Sequence, residues 1–301
     1  MPCSDDFPQQ IQMTSSVREA AERAAPDLTL RFPLPELEDP DGQRRAFGYA
    51  CQQVPGLAEL AATVAEGVAR AGAVLVRDAC VASDEWIAVF SSVLGTLSST
   101  GNGYPPRLVF DITPREQADG TVATGSRGYD EFALHSDSAT HARPHSHFTL
   151  TCVMAEEGIG GESLIVRVGD VAAALVSTGQ AAALPLLADP VYPYLADLGN
   201  GETVIRHGSI LARGDGRYHV RFARKRAKGE LAEGIQVHQL DQAHQDALRG
   251  FEEVLGSADL VREFRLRPGD VFLADNGAVL HGRRAFSPTG RRLLKRCKLH
   301  A

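Results

Sequence analysis

Apolar positions along this chain recur with two different periods, and the periods divide it. The stretch 56-GLAELAATVAEGVARAG-72 carries apolar residues at helical spacing and ends at Gly72, which predicts an amphipathic helix with a glycine stop. A short apolar run, 73-AVLVRDA-79, predicts a strand. Ser83 then stands as an N-cap before a second helix, 84-DEWIAVFSSVLGTL-97. After it, short β-type runs dominate: 107-RLVFDI-112, 147-HFTLTCVM-154, 163-SLIVRV-168, 202-ETVIRHGSIL-211, 217-RYHVRFA-223, 263-EFRLRPGDVFLA-274 and 291-RRLLKRCKL-299. Turn residues separate several of them, at Asn200-Gly201, Gly214-Asp215-Gly216 and Pro268-Gly269-Asp270. Helical spacing returns at 170-DVAAALVST-178 and 241-DQAHQDALRGFEEVL-255. Many short strands with a few helices outside them predict a β-sandwich or barrel core with helical cover.

Residues 1–50 follow neither period. They are polar and dotted with proline, with one short helical candidate at 16-SVREAAERAA-25. They read as an N-terminal arm on the surface, assigned to 1–55, ahead of one domain over 56–301 that no linker divides. With 301 residues and 44% hydrophobic content, the chain can bury a full core. A net charge of −7 argues against a nucleic-acid binder working by general electrostatics, and the local basic run 221-RFARKRAK-228 reads as a solvated strand end or loop, with attraction of a substrate or partner as the second reading. No apolar run approaches the roughly 20 residues of a membrane span, and no signal-peptide pattern opens the chain. The five cysteines are scattered and odd in number, without a C-x-x-C pair, which suits reduced thiols in the cytoplasm.

Candidate chemistry gathers in 134-LHSDSATHARPHSHF-148, which holds four of the ten histidines. His135 and Asp137 form H-x-D. On an extended segment, residues two apart point the same way, so one imidazole and one carboxylate can reach a single ion. His281, after the Pro-Gly-Asp turn and a β run, is the candidate third ligand. Two histidines and one carboxylate form a facial triad that suits non-haem Fe(II), whereas zinc favours four tetrahedral ligands and more often recruits Cys or a third His. His141, His145 and His147 read as polar-loop residues, one of which could line a pocket behind the ligands. Further on, Arg292, Leu294 and Arg296 share one strand face and Arg291, Leu293 and Lys295 the other. Two readings of that strand stand side by side. If the first face is buried, its arginines need anionic partners such as a dicarboxylate; otherwise it is an outward basic edge.

Four pieces, in order, resemble the TauD/clavaminate-synthase-like family of Fe(II)- and 2-oxoglutarate-dependent dioxygenases. They are the strand and helix of 70–97, 135-HSD-137, 152-CVMAEEGIGGESLIVRVGDV-171 and 281-HGRRAFSPTGRRLLKR-296. The resemblance covers roughly residues 70–299. It implies a double-stranded β-helix, a cupin-like jelly roll that is mainly β with helical cover. It implies that His135, Asp137 and His281 hold Fe(II), and that Ser163 and Arg292 hold the far carboxylate of 2-oxoglutarate. It places Arg296 near the cosubstrate or the substrate's acid group, with the two arginines exchanging roles in some members. O2 is the oxidant. Related halogenases carry a small residue where Asp137 stands, so the carboxylate favours hydroxylation. The implied substrate is a small polar acid, a free or carrier-bound amino acid of secondary metabolism, with a sulfonate or another small acid as the alternative. Desaturation or cyclisation would use the same site. Outside the family, a zinc hydrolase or a non-catalytic jelly-roll binding protein would share the fold pattern.

Overall fold

Strand alternation sorts the side chains into layers. In β2 (Ala73–Arg77), Val74 and Val76 enter one apolar cluster, and Ala73 and Leu75 enter another. The computed structural model describes residues 7–99, 107–114, 125–158, 160–198, 202–224, 234–288 and 290–301. The turn at Asn200-Gly201 and the part of the basic run after Arg224 lie outside the described residues.

β2 belongs to a seven-stranded sheet ordered β1 (Gln9–Gln12), β2, β14 (Val271–Asp275), β6 (His147–Ala155), β16 (Arg292–His300) and β3 (Thr96–Leu97). β4 (Phe110–Ile112) also pairs with β16. A second sheet runs β13 (Arg262–Phe264), β7 (Ser163–Arg167), β15 (Val279–Arg283) and β5 (Phe132–His135). The β1–β2 pair is parallel and the other pairs of the two sheets are antiparallel. Leu75, Phe148 and Phe272 from the first sheet and Ile165 and Val279 from the second share one buried cluster, so the sheets face each other. This is the double-stranded β-helix with helical cover, open rather than closed into a barrel. Two smaller units stand beside it. One is β12 (Gly234–Ile235), β8 (Tyr192–Asp197) and β9 (Thr203–Gly208). The other is the hairpin of β10 (Leu211–Gly214) and β11 (Arg217–Val220). Its two turn residues, Asp215 and Gly216, have φ of 49° and 77°, in keeping with the sequence GDG.

The helical cover is larger than the sequence reading. α3 (Leu57–Ala71), capped by a left-handed Gly72, and α4 (Asp84–Ser91), capped by Ser83, stand where expected. α4 gives way to a 3₁₀ turn at Ser92–Leu94, so the second helix is shorter than 84–97. Where a polar surface arm is expected, the chain forms β1, α1 (Ser15–Arg31) and α2 (Pro40–Gln53). β1 extends the edge of the first sheet beside β2, and the two helices lie on its outer face, where Leu28, Leu37, Ala46 and Ala50 are fully buried with Trp86 and Val74. Over the second sheet, Val166 and Leu280 meet α5 (Val168–Ser177), α6 (Ala183–Ala188) and α7 (Gln242–Leu255). Among the described residues no helix is long and apolar enough to cross a membrane.

Two features of this packing can be measured. Leu28→Ala removes a fully buried side chain of the N-terminal segment and should lower unfolding free energy by about 2–5 kcal/mol, read by urea denaturation. A surface arm would give almost no change. At the start of α7, His244 contacts the carboxylates of Asp241 (2.8 Å) and Asp189 (3.1 Å). Burial opposes its charge, but the two carboxylates outweigh burial and raise its pKa above the ordinary 6.5. A raised folded-state pKa contributes stability that is full below about pH 6.5 and is lost as pH rises through the folded value. The denaturation midpoint of His244→Gln should therefore fall below wild type at about pH 5.5 and converge on it at about pH 9.

Candidate metal centre

The parity that builds the sheets also aims the chemistry. On β15, Val279 lies in the inter-sheet cluster and Leu280 in the outer one, so His281 returns to the inter-sheet face. His281 pairs across the ladder with His135, the last residue of β5. Their rings lie 4.3 Å apart, and Phe148 from the first sheet packs on His281 at 4.2 Å. Asp137 follows two residues after His135. One ligand atom from each of His135, Asp137 and His281 lies within 4.8 Å of the others, and all three residues are buried.

The loop carrying Asp137 is fixed by backbone contacts. Asn276, in the turn after β14, accepts from the Asp137 N–H (2.7 Å) and donates to the carbonyls of Asp137 and His145, both at 2.8 Å. One residue earlier, Ser136 N–H donates to Phe222 carbonyl (2.7 Å), and Phe222 N–H donates back to Ser136 Oγ (3.0 Å). His135 Nδ1 donates to the Ala133 carbonyl at 2.9 Å. That bond puts the hydrogen on Nδ1 and leaves Nε2 as the lone-pair nitrogen, 3.9 Å from Asp137 Oδ1.

Charge decides the state of the cluster. Burial alone would raise the Asp137 pKa, but Arg296, then Lys298, overcome it and hold the carboxylate far below its usual range. Arg296 Nη1 lies 3.3 Å from Asp137 Oδ1, and Lys298 Nζ lies 3.8 Å from Oδ2. Lys298 also donates to Ser138 Oγ (3.0 Å), which is 2.7 Å from His145 Nδ1. Burial, followed by His135, drives His281 well below 6.5, so its imidazole is neutral and can donate a lone pair. Asp137 Oδ2 and His281 Nδ1 are buried without a hydrogen-bond partner. Buried polar atoms are nearly always satisfied, so two such atoms, on a carboxylate and on an imidazole packed against the His135 ring, fit a cation.

The β16 parity resolves as the buried reading. Arg292 is 7% exposed, while Arg291 is exposed and paired with Glu156 at 2.7 Å. Arg292 has no carboxylate within ion-pair distance among the described residues, and burial pushes its guanidinium down to about 10. Arg296 lies at the carboxylate end and Arg292 at the other. Ser163 is buried at the start of β7, opposite Arg283 in the β15 ladder.

Residues 33–298 match the taurine catabolism dioxygenase TauD, TfdA family. The chain belongs to that family. Its resemblance to solved TauD/TfdA-like folds runs through almost the whole chain. An asparagine oxygenase, solved with Fe(II), 3-hydroxyasparagine and succinate, aligns with TM-score 0.74 at 18% identity, over 97% of this chain and 93% of that one. The non-heme iron oxygenase OrfP, solved with Fe and alpha-ketoglutaric acid, aligns with TM-score 0.72 at 16% identity, again over 97% and 93%. At such identities the likeness is one of fold. No curated protein sequence matches this chain.

Sequence reasoning misses three buried polar residues around these side chains: Lys298, Asn276 and Arg283. Lys298 is one step away, since it continues the alternation Arg292, Leu294, Arg296. Arg283 stands two residues past His281 and shares its face. Asn276 carries only a turn signal, in Asp-Asn-Gly. The clip it makes can be tested directly. Asn276→Ala leaves the Asp137 N–H buried and unsatisfied and should cost about 1–3 kcal/mol of unfolding free energy, read by urea denaturation.

Proposed function

We propose that the chain is an Fe(II)- and 2-oxoglutarate-dependent oxygenase that hydroxylates a small polar acid, a free or carrier-bound amino acid, in the cytoplasm. The observation that carries this reading is the buried His135–Asp137–His281 set with a buried, carboxylate-free Arg292 on the same inter-sheet face. The family supplies the reaction class. The solved structures with hydroxylated asparagine and, in OrfP, with hydroxylated arginine support an amino-acid substrate.

Iron held by His135, Asp137 and His281 would supply oxygen activation driven by 2-oxoglutarate. The protein's own residues do the rest. His135 Nε2 is kept as a donor by the Nδ1 bond to Ala133. Arg296 and Lys298 keep Asp137 ionised, so it binds as a carboxylate without waiting for proton loss. Arg292 presents a fork of N–H donors to the far carboxylate of the cosubstrate, and the Ser163 hydroxyl donates to the same group. Arg296, held 3.3 Å from Asp137 Oδ1 at the metal end, would serve the substrate's acid group or the cosubstrate. Phe148, packed on His281, excludes water from the ligand side and limits rotation of the imidazole.

Two measurements test this. Anaerobic Fe(II) and 2-oxoglutarate should together develop a weak visible charge-transfer band, and His281→Ala should abolish it. A zinc hydrolase or a non-catalytic binding protein would show no band. Removing one partner of a buried charge pair costs about 2–5 kcal/mol, so Arg292→Ala should weaken 2-oxoglutarate about 30-fold to several thousand-fold and leave iron binding intact. Arg291→Ala, exposed on the opposite face, is the control. A large loss in Arg296→Ala with none in Arg292→Ala would exchange the two roles.

A further inference from the structure

The inward face of β15 does not end at His281. Arg283 is the next residue on that face and is 5% exposed. Its Nη2 donates to the carbonyls of Gly128 (2.8 Å) and Asp130 (2.9 Å), and its Nη1 donates to the Arg284 carbonyl (3.1 Å). It has no carboxylate within ion-pair distance among the described residues. Its Cζ lies 4.6 Å from the centre of the Phe286 ring, and Arg292 Cζ approaches the same ring at 5.7 Å. Phe286 is tied to the segment that Arg283 holds. Its N–H donates to the Tyr129 carbonyl (3.0 Å), and the Tyr129 ring packs on it at 5.1 Å. Beyond Glu131 this segment becomes β5, which ends at His135.

Two guanidinium groups therefore share one aromatic ring in a buried site. One, Arg292, has no carboxylate within ion-pair distance among the described residues. The other, Arg283, donates through Nη2 to two carbonyls of a strap, residues 128–131. Like charges in a low-dielectric site repel strongly. Burial, and after it the neighbouring Arg292, push the Arg283 guanidinium down to about 10. An anion on Arg292 offsets the repulsion and strengthens the hold of Arg283 on these carbonyls.

We propose that Arg283 is a positioning residue that couples binding of a dicarboxylate at Arg292 to closure of the 128–131 strap. The inference rests on the assignment of the cosubstrate to Arg292 made above. Coupling between two equilibria is reciprocal: whatever factor the dicarboxylate adds to strap closure, strap closure adds to dicarboxylate affinity. Arg283 thus contributes to cosubstrate binding through the backbone of another segment and not by touching the cosubstrate.

The Phe286 amide reports the strap, because it donates to Tyr129. Hydrogen exchange at Phe286 is measured on the full chain with Fe(II) under anaerobic conditions, with and without 2-oxoglutarate. In the wild type, 2-oxoglutarate should slow exchange by about 5- to 150-fold, the usual range of coupling between sites. Arg283→Met should exchange fast at Phe286 whether or not 2-oxoglutarate is present, and should bind it weaker by the same factor, with Fe(II) affinity unchanged. Arg283→Lys keeps the charge but cannot donate to two carbonyls in one plane, and should fall between them. Indifference of Phe286 exchange to 2-oxoglutarate in the wild type, while the visible band shows it bound, overturns the coupling alone. So does an Arg283→Met enzyme with wild-type 2-oxoglutarate affinity. Failure of the band to form in the wild type overturns the reading of the site and the coupling with it.

Discussion

Asp137 is a carboxylate with almost no access to water, 4% exposed, and the site depends on its staying ionised. Taking a carboxylate out of water costs several kcal/mol unless charge and hydrogen bonds replace the solvent. Here the replacement comes from one strand: Arg296 on one oxygen and Lys298 beside the other. Two cations for one anion overcompensate, and Arg292 adds a third on the same face. The inter-sheet face is thus electrostatically positive among its described residues, a setting in which a dianion is favoured. The same positive charge helps to keep His281 neutral, and neutrality is what an imidazole needs to act as a ligand.

Much of this is legible in the sequence because a β-strand writes its geometry there with a period of two. Once His281 is placed in a strand, Val279, His281 and Arg283 share a face whatever the fold. The same argument separates Arg291 from Arg292, and the structure puts the first in solvent and the second in the core. What one sequence does not supply is the partner of each face. A buried basic face and an exposed basic edge read alike until the second sheet is in place.

The elements that escape a sequence reading each break a local rule that tertiary packing overrides. Helical spacing in the first segment reads only as far as Ala25, because Pro26 removes an N–H from the helix interior. α1 continues to Arg31, since Leu28 beyond the proline is fully buried. α2 does carry its signal, Asp39 as N-cap with Pro40 at the first helical position, but its glycines and polar residues hide the short alanine face. β8, absent from the β-type runs read in the sequence, contains Pro193. The Pro193 carbonyl accepts from Gln236 N–H (2.8 Å), just past the end of β12. Its missing N–H therefore falls where no ladder bond with β9 is lost.

The fit between sheet and site is closest where β16 meets β6. Their register slips by one residue between Leu293 and Leu294, so that Arg292 lies opposite Ala155 and Leu294 opposite Cys152. The extra residue in β6 is Val153. A bulge of this kind switches which face a strand presents on either side of it. Cys152 and Ala155, three apart, both pack into the inter-sheet cluster, which an unbroken period of two forbids. The outcome is that a small side chain, Ala155, stands across from Arg292. Cross-strand partners on one face lie about 5 Å apart, so a large residue there would occupy the volume the guanidinium needs. An unbroken ladder continuing from the Leu294–Cys152 pair would set Leu293 against Val153 and Arg292 against Met154, a long side chain where a short one is needed. With the slip, Met154 instead lies opposite Leu293 and is partly exposed. β16 thereby keeps Arg292, Leu294, Arg296 and Lys298 on one face, and β6 is the strand that adapts.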